Sequence, residues 1–318
     1  MGLDGYLTAA ARRMACLAGV QQSFAKAEAL LTELARWELD DETIRRLCHA
    51  EAARATATRE ERATAEAFAA APGDRELHID AGKVNTQEGW RDIKAAVFAC
   101  RERGEPAEAS AWDKRDLPAP SVRSVIAAIE EASVFGGRCA AEACRLGLTD
   151  PTQLSVSGDG AEWIWNLSAR QFAGASENLD IHHGAEHVAE AARRVFGEGT
   201  SQARFEAERG RTRLLEDGYW GVAEWVGELG GRLPAGGDGA ALGEALNYFA
   251  GHQGRLNYAL RLRRGQSIGS GLIEGSIKQL VNRRLKQTGA RWKVEHVGPM
   301  VEFCALANGP EWNAYWNN

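Results

Sequence analysis

The order of strand-like and helix-like segments between residues 76 and 196 limits most strongly how this chain can fold. Residues 76–80 and 93–99 alternate apolar and polar side chains, as strands do when only one face is buried. Further strands are predicted at residues 109–112, 152–157 and 178–181, and helices at residues 121–146 and about 184–196. The order is three strands, a helix, a strand, a helix, a strand and a helix. This order predicts an α/β protein whose mixed sheet is covered by helices.

The region before this pattern is predicted to be helical. Ser23 can cap one helix, and a second helix begins at Asp41 after a short break. Two helices joined by a short turn fit a helix-turn-helix, in which Arg45 and Arg46 would contact DNA. The same pattern also fits any small helical bundle.

A helical region interrupts the α/β pattern at residues 198–262. Its Gly-rich loop, residues 227–239, is too long for a simple connection, so we interpret the region as an insertion within the core. The predicted domains are a helical DNA-binding region (1–72), the first part of the core (73–197), the insertion (198–262), and the second part of the core with a C-terminal tail (263–318).

Composition excludes several classes of protein. The sequence contains no run of 18 apolar residues, so no membrane span or membrane partner is expected. Residues 1–6 do not begin a secretion signal, and the six cysteines form no CxxC pair. We therefore expect a cytoplasmic protein with reduced thiols rather than a disulfide framework or a zinc site.

Charge is distributed unevenly along the chain. Residues 255–293 contain ten basic residues and one acid, so this segment carries +9, whereas the whole chain carries −6. Such asymmetry suggests a local site for a polyanion, although a solvated basic helix is the alternative. Candidate DNA-binding residues in this segment are Arg263, Arg264, Lys278, Arg283, Arg284, Lys286, Arg291 and Lys293.

Three carboxylates are candidate catalytic residues. Asp80 ends one predicted strand and Asp159 follows another, and glycine follows within two residues of each, so both are expected at strand ends. At 100° per residue, Glu274 falls inside the apolar arc of its helix, where a charge needs a partner. Plain Asp-Gly turns, and a salt bridge from Glu274 to Lys278, are the structural alternatives.

Carboxylates that converge from distant segments repel one another, and a divalent cation relieves that repulsion. Mg²⁺, or Mn²⁺, suits oxygen ligands combined with a substrate phosphate. Two such ions could activate a hydroxyl nucleophile and stabilise the leaving oxygen of a phosphodiester. The residues alone therefore predict a metal-dependent enzyme that acts on nucleic acid.

Several motifs resemble bacterial insertion-sequence transposases of the ISKra-four and ISLre-two type, which are related to Mutator-like elements. Their order and spacing agree over roughly residues 6–316. The matching segments are residues 78–82, 89–94, 158–167, 179–187, 268–274 and 284–292.

The resemblance implies an RNase H-like core with a DDE triad of Asp80, Asp159 and Glu274, each a ligand of the metal ions. It implies strand cleavage and strand transfer at the ends of an insertion sequence in the bacterial nucleoid, by a homodimer or larger assembly on double-stranded DNA. It also implies supporting roles near the site for Asp180, His183, Glu186 and His187.

Two departures from the resemblance leave alternatives open. Ala81 separates Asp80 from glycine, and such relatives usually carry a longer N-terminal region with cysteine pairs. A truncated, non-catalytic DNA-binding remnant or regulator is therefore the alternative to an active transposase. His183 and His187, four residues apart, could instead ligate zinc in a metallohydrolase, although an HExxH motif is absent.

Overall fold

The computed structural model describes residues 7–317. Residues 1–6 and Asn318 lie outside the described part. The prediction of no secretion signal falls on residues 1–6, and the first and last predicted domains are described without these terminal residues. The described residues form a five-stranded mixed sheet covered by helices. This confirms the predicted α/β class with a mixed sheet.

The sheet has the strand order β3-β2-β1-β4-β5. β1, β2 and β3 are antiparallel neighbours, whereas β4 is parallel to β1 and β5 is parallel to β4. The strands are Asp74–Thr86 (β1), Gly89–Arg101 (β2), Val122–Ala128 (β3), Leu154–Gly158 (β4) and Ser176–Leu179 (β5).

Two strand predictions were wrong. The strand expected at residues 109–112 is a short 3₁₀ turn, Ala109–Ala111. The third strand is β3, which lies in the segment predicted to begin the helix 121–146. The alanines of β3 favour helix by intrinsic propensity, but pairing with β2 and burial of residues 125–128 override that preference.

The strand β1 does not end at Asp80, as the Asp-Ala-Gly sequence had suggested. It continues through Gly82 to Thr86, and Gly82 pairs with Ile93 of β2. A Cβ atom at Gly82 would lie 3.2 Å from Cγ2 of Ile277. Glycine here therefore gives room to a packed helix rather than ending the strand.

The first three helices of the N-terminal region pack on one face of the sheet. The side chain of Ser23 accepts a hydrogen bond from the Lys26 N–H, which confirms the predicted cap, and Asp40 caps the next helix through the Thr43 N–H at 2.8 Å. The helices are Ala9–Gln21 (α1), Phe24–Ala35 (α2), Asp41–Ala57 (α3) and Thr64–Ala70 (α4).

The other helices follow β3. They are Ala132–Arg145 (α5), Glu162–Gln171 (α6), Ile181–Phe196 (α7), Ser201–Gly230 (α8), Gly239–Gly251 (α9), Tyr258–Arg263 (α10), Gly271–Ser276 (α11), Val294–Ala307 (α12) and Trp312–Asn317 (α13). The helix α8 bends at Gly218, where φ is +56°. A π-helical segment, Ile277–Arg283, continues directly from α11.

The sheet separates two apolar cores. Alternate residues of β2 enter them: Phe98 packs with the core that contains α5 to α9, and Val97 packs with the core that contains α1 to α3, α11 and α12. The helices α1 to α3 thus share a core with the sheet and the C-terminal helices, whereas Phe68 of α4 belongs to the other core. No helix among residues 7–317 is long and apolar enough to cross a membrane.

Candidate active site

Asp80 and Asp159 occupy corresponding positions on neighbouring parallel strands. His78 of β1 pairs with Ser157 of β4, and each aspartate lies two residues further along its own chain segment. Asp159 follows the last residue of β4, as predicted, whereas Asp80 lies within β1. Their Oδ1 atoms accept hydrogen bonds from nearby backbone N–H groups, at 2.6 Å for Asp80 and 2.9 Å for Asp159.

Glu274 reaches the same region from α11. It is exposed, so the prediction that it lies within the apolar face was wrong. The helix buries Ile273 and Ile277 instead, and Ile277 packs over Gly82 of β1, two residues beyond Asp80. Glu274 Oε1 accepts a hydrogen bond from Ser270 Oγ at 2.6 Å rather than pairing with Lys278.

Asp80 experiences the charges of the other two carboxylates. Burial, together with the negative charges of Asp159 and Glu274, raises the pKa of Asp80 to about 6, against the opposing effects of the hydrogen bond from the Ala81 N–H and of the neighbouring His183. Residues remote in the sequence therefore contribute to one acidic environment.

His183 is the cation of this environment. Its Nε2 lies 3.5 Å from Asp159 Oδ2, and its Nδ1 lies 3.5 Å from a Glu186 oxygen. The hydrogen bond with Asp159 raises the pKa of His183 to about 9 despite partial burial. Burial alone would raise the pKa of Asp159, but hydrogen bonds from His183 and from the Ala161 N–H lower it.

Asp180 connects the segments that carry the site. It is buried at the start of α7, where its Oδ1 accepts a hydrogen bond from the His183 N–H at 3.0 Å. Its Oδ2 accepts a hydrogen bond from the Ser270 N–H. Asp180 thus ties the end of β5 to the turn that precedes Glu274, and it is a positioning residue.

The three histidines at residues 182–187 have separate environments. The ring of His182 packs 5.4 Å from that of Trp112, and the ring of His187 stacks 3.6 Å from that of Tyr248. Within residues 7–317, no three His, Cys, Asp or Glu side chains are grouped so that they could hold a metal ion as they stand. The structure thus brings neither the candidate ligands His183 and His187 nor the three carboxylates Asp80, Asp159 and Glu274 into such a group.

Tyr248 and Ser270 are site neighbours that the sequence analysis missed. A Cβ atom at Gly160 would lie 2.4 Å from the Tyr248 hydroxyl, and φ of Gly160 is +97°, so glycine is required after Asp159. Burial and the charge of Asp159 raise the pKa of Tyr248. Tyr248 comes from α9 of the insertion, and no local motif marks it.

The carboxylates fit a hard divalent cation by their chemistry. Asp80 and Glu274 each keep one oxygen without a protein partner among the described residues. Oxygen ligands of this kind suit Mg²⁺ and Mn²⁺. A cation at this position would also remove the repulsion that raises the pKa of Asp80.

The predicted DNA-binding cations divide into two groups. Seven of them are exposed: Arg263, Arg264, Lys278, Arg283, Lys286, Arg291 and Lys293. Arg284 is only 3% exposed, unlike the other seven, and its DNA-binding role stays a prediction. Its Nε donates to the Gly19 carbonyl at 2.8 Å, and its guanidinium lies over the rings of Phe24 and Trp292.

The two arginines of the predicted helix-turn-helix both lie near one acid of the same helix. Arg45 donates two hydrogen bonds to Glu42, and Arg46 Nε lies 3.8 Å from a Glu42 oxygen. Glu42 partly neutralises the positive charge with which these arginines would bind a DNA phosphate. The DNA-contacting role of Arg45 and Arg46 therefore stays a prediction.

A scan against protein-family models gives no match for this chain, and a search of curated proteins finds no relative. The geometry and chemistry of the site therefore carry the functional inference.

Proposed function

We propose that this chain is a DDE transposase that cleaves and joins DNA strands at the ends of an insertion sequence, with Asp80, Asp159 and Glu274 as its catalytic carboxylates. One observation carries the proposal: these three acids come from distant segments, yet the charges of Asp159 and Glu274 raise the pKa of Asp80. Carboxylates from distant segments whose charges affect one another are typical of metal-dependent phosphodiester chemistry.

The sheet supports an RNase H-like core for this enzyme. Three antiparallel strands in a row, continued by two parallel strands, are the arrangement that such a core has. The first acid lies in β1, the second directly after β4, and the third on a helix that follows the helical insertion. This placement agrees with the order of acids that the sequence resemblance implies.

Asp80, Asp159 and Glu274 would hold Mg²⁺ or Mn²⁺, and two such ions, when bound, stabilise the charges on the attacking and leaving oxygens of the phosphodiester. The chain's own residues position these ligands: Asp180 fixes the turn before Glu274, and His183 holds Asp159. The exposed cations would bind DNA phosphates. About six such contacts would give a log–log salt slope of roughly −5.

Cleavage of DNA that flanks the coding sequence tests the proposal. We expect Mg²⁺-dependent nicking of such duplexes at the element ends. Glu274→Gln should abolish nicking and retain DNA binding, because only a metal ligand is lost. Glu295→Gln removes another exposed carboxylate, on α12, and is the matched control that should retain activity.

Other outcomes would separate the alternatives. DNA binding without nicking by the wild-type chain in Mg²⁺ and in Mn²⁺ would refute the transposase and support a non-catalytic DNA-binding protein. Zinc-dependent ester hydrolysis that is lost in His187→Ala would instead support the histidine-based hydrolase. Transposition pairs two element ends, so the complex with DNA should contain at least two copies of the chain.

A further inference from the structure

A cavity of about 460 Å³ lies outside the carboxylate site, between the N-terminal helices and the segment after the π-helix. Its walls come from the start of α2, from α3, and from residues 284–296. Its volume is within the range of roughly 300–1,000 Å³ that is usual for small-molecule sites. None of the three catalytic carboxylates lines it.

The lining of this cavity is strongly cationic. Arg45, Arg284, Arg291 and Lys293 contribute positive charges, and Asp41 is the only acid among the lining residues. Arg45 pairs with an acid of its own helix, but the other three cations form no ion pair within residues 7–317. The cavity therefore suits an anion.

Arg284 supplies the most specific observation. It is almost completely buried, and its Nη2 has no hydrogen-bond partner in the described part of the chain. A buried donor without an acceptor is costly, and a charged one especially so. An anionic oxygen that enters the cavity beside Arg284 would remove this cost.

Aromatic rings form the rest of the wall. His49 stacks on His296 at 3.9 Å between ring centroids and contacts Phe24 edge-on at 5.9 Å. Burial and the neighbouring His296 lower the pKa of His49 to about 3, so its ring is neutral. Phe24 and His296 are only partly buried and offer ring surface to the cavity.

We propose that this cavity binds one unpaired nucleotide of a DNA substrate, with its phosphate at Arg284, Arg291 and Lys293 and its base against Phe24 and His296. Arginine recognises phosphate well, and a neutral ring stacks on any base. This inference rests on the DNA-binding part of the proposed function, but it does not require cleavage. A free mononucleotide has the same chemistry, and the test distinguishes the two sources.

Two otherwise identical duplexes test the proposal. One carries a single extra-helical 2-aminopurine, and in the other the 2-aminopurine is paired. We expect the wild-type chain to bind the first about tenfold more tightly at fixed salt, since stacking a base adds binding free energy. The 2-aminopurine fluorescence should be quenched on binding.

A pair of double variants separates the cavity from general electrostatics. Arg291→Ala with Lys293→Ala removes two exposed cations that line the cavity and should abolish the preference for the unpaired nucleotide. Arg283→Ala with Lys286→Ala removes two exposed cations of the same segment outside the cavity. The second pair should weaken binding of both duplexes equally and keep the preference.

His296→Leu tests the aromatic wall without a change of formal charge and should reduce quenching. Equal affinity of the wild-type chain for the two duplexes, or an unchanged preference in the Arg291 and Lys293 double variant, would overturn the proposal. Displacement of the unpaired-base duplex by micromolar free dAMP would assign the cavity to a mononucleotide and also overturn it. If the wild-type chain prefers the duplex with the unpaired nucleotide but does not nick DNA, the proposed transposase activity is refuted and the nucleotide site is not.

Discussion

Replacing Asp80 with asparagine should stabilise the folded protein at neutral pH. The pKa of Asp80 rises from 3.8 to about 6 because the carboxyl is partly buried and lies near two other acids. Asparagine has nearly the same shape, and its Oδ1 can still accept the hydrogen bond from the Ala81 N–H. The variant therefore loses a repelled charge and little else.

The sign and size follow from proton linkage. A carboxyl with a raised pKa binds its proton more tightly when the chain is folded, so the free energy of unfolding falls as the pH rises from about 4 through 6. A shift from 3.8 to about 6 corresponds to at most about 3 kcal/mol. Solvent screening of this partly exposed group reduces the expected gain for Asp80→Asn to ~1–2 kcal/mol.

Urea denaturation at pH 4 and pH 7.5, without divalent cations, measures this gain. Asp80→Asn should exceed the wild-type chain in stability at pH 7.5, and the difference should shrink towards pH 4. Asp150→Asn is the matched control, because hydrogen bonds with Thr152 lower the pKa of Asp150 and no gain is expected. Destabilisation by Asp80→Asn at pH 7.5, or an equal effect at both pH values, would refute the electrostatic reasoning.

Three further predictions concern packing and charge. Gly82→Val should lower the free energy of unfolding by ~1–3 kcal/mol in urea, because its Cβ would crowd Ile277; unchanged stability would contradict this close approach. The pKa of His183 is raised from 6.5 to about 9, so its stabilising effect is complete below pH 6.5 and lost as the pH rises through 9. The stability difference between wild type and His183→Gln should therefore vanish by about pH 10, and a constant difference would exclude an imidazolium. Glu206→Ala should cost ~3–5 kcal/mol in the same assay, because this fully buried carboxylate pairs with arginine and accepts from an indole; a loss under 1 kcal/mol would contradict that role.

Local signals predicted part of the fold correctly. The helix cap at Ser23 and the end of β4 before Asp159 each depend on a few adjacent residues, so the sequence alone indicates them. The strand β3 was missed because pairing with β2 decides its conformation. The continuation of β1 through Gly82 was missed because the reason for that glycine is a side chain on a distant helix.

The candidate acids were chosen from the sequence, but the residues that surround them could not be predicted from it. Asp180 was expected near the site, yet its contact with Ser270 joins segments that only the fold brings together. Tyr248 enters from the insertion, and the crowding between its hydroxyl and Gly160 leaves no trace in either local sequence. Motifs identify residues that lie close together in the sequence, whereas these neighbours are close only in the folded structure.

The helix count placed Glu274 on the apolar face, although Glu274 lies about 100° from Ile273, near the edge of the apolar arc. The count does not hold beyond Ser276, because residues 277–283 are π-helical and turn by less than 100° per residue. The buried charge directly after the π-helical segment is Arg284, which donates to a backbone carbonyl and lies over two aromatic rings. Exposure of Glu274 suits its proposed role better than burial would, because a carboxylate must be reachable to bind a cation together with a DNA phosphate.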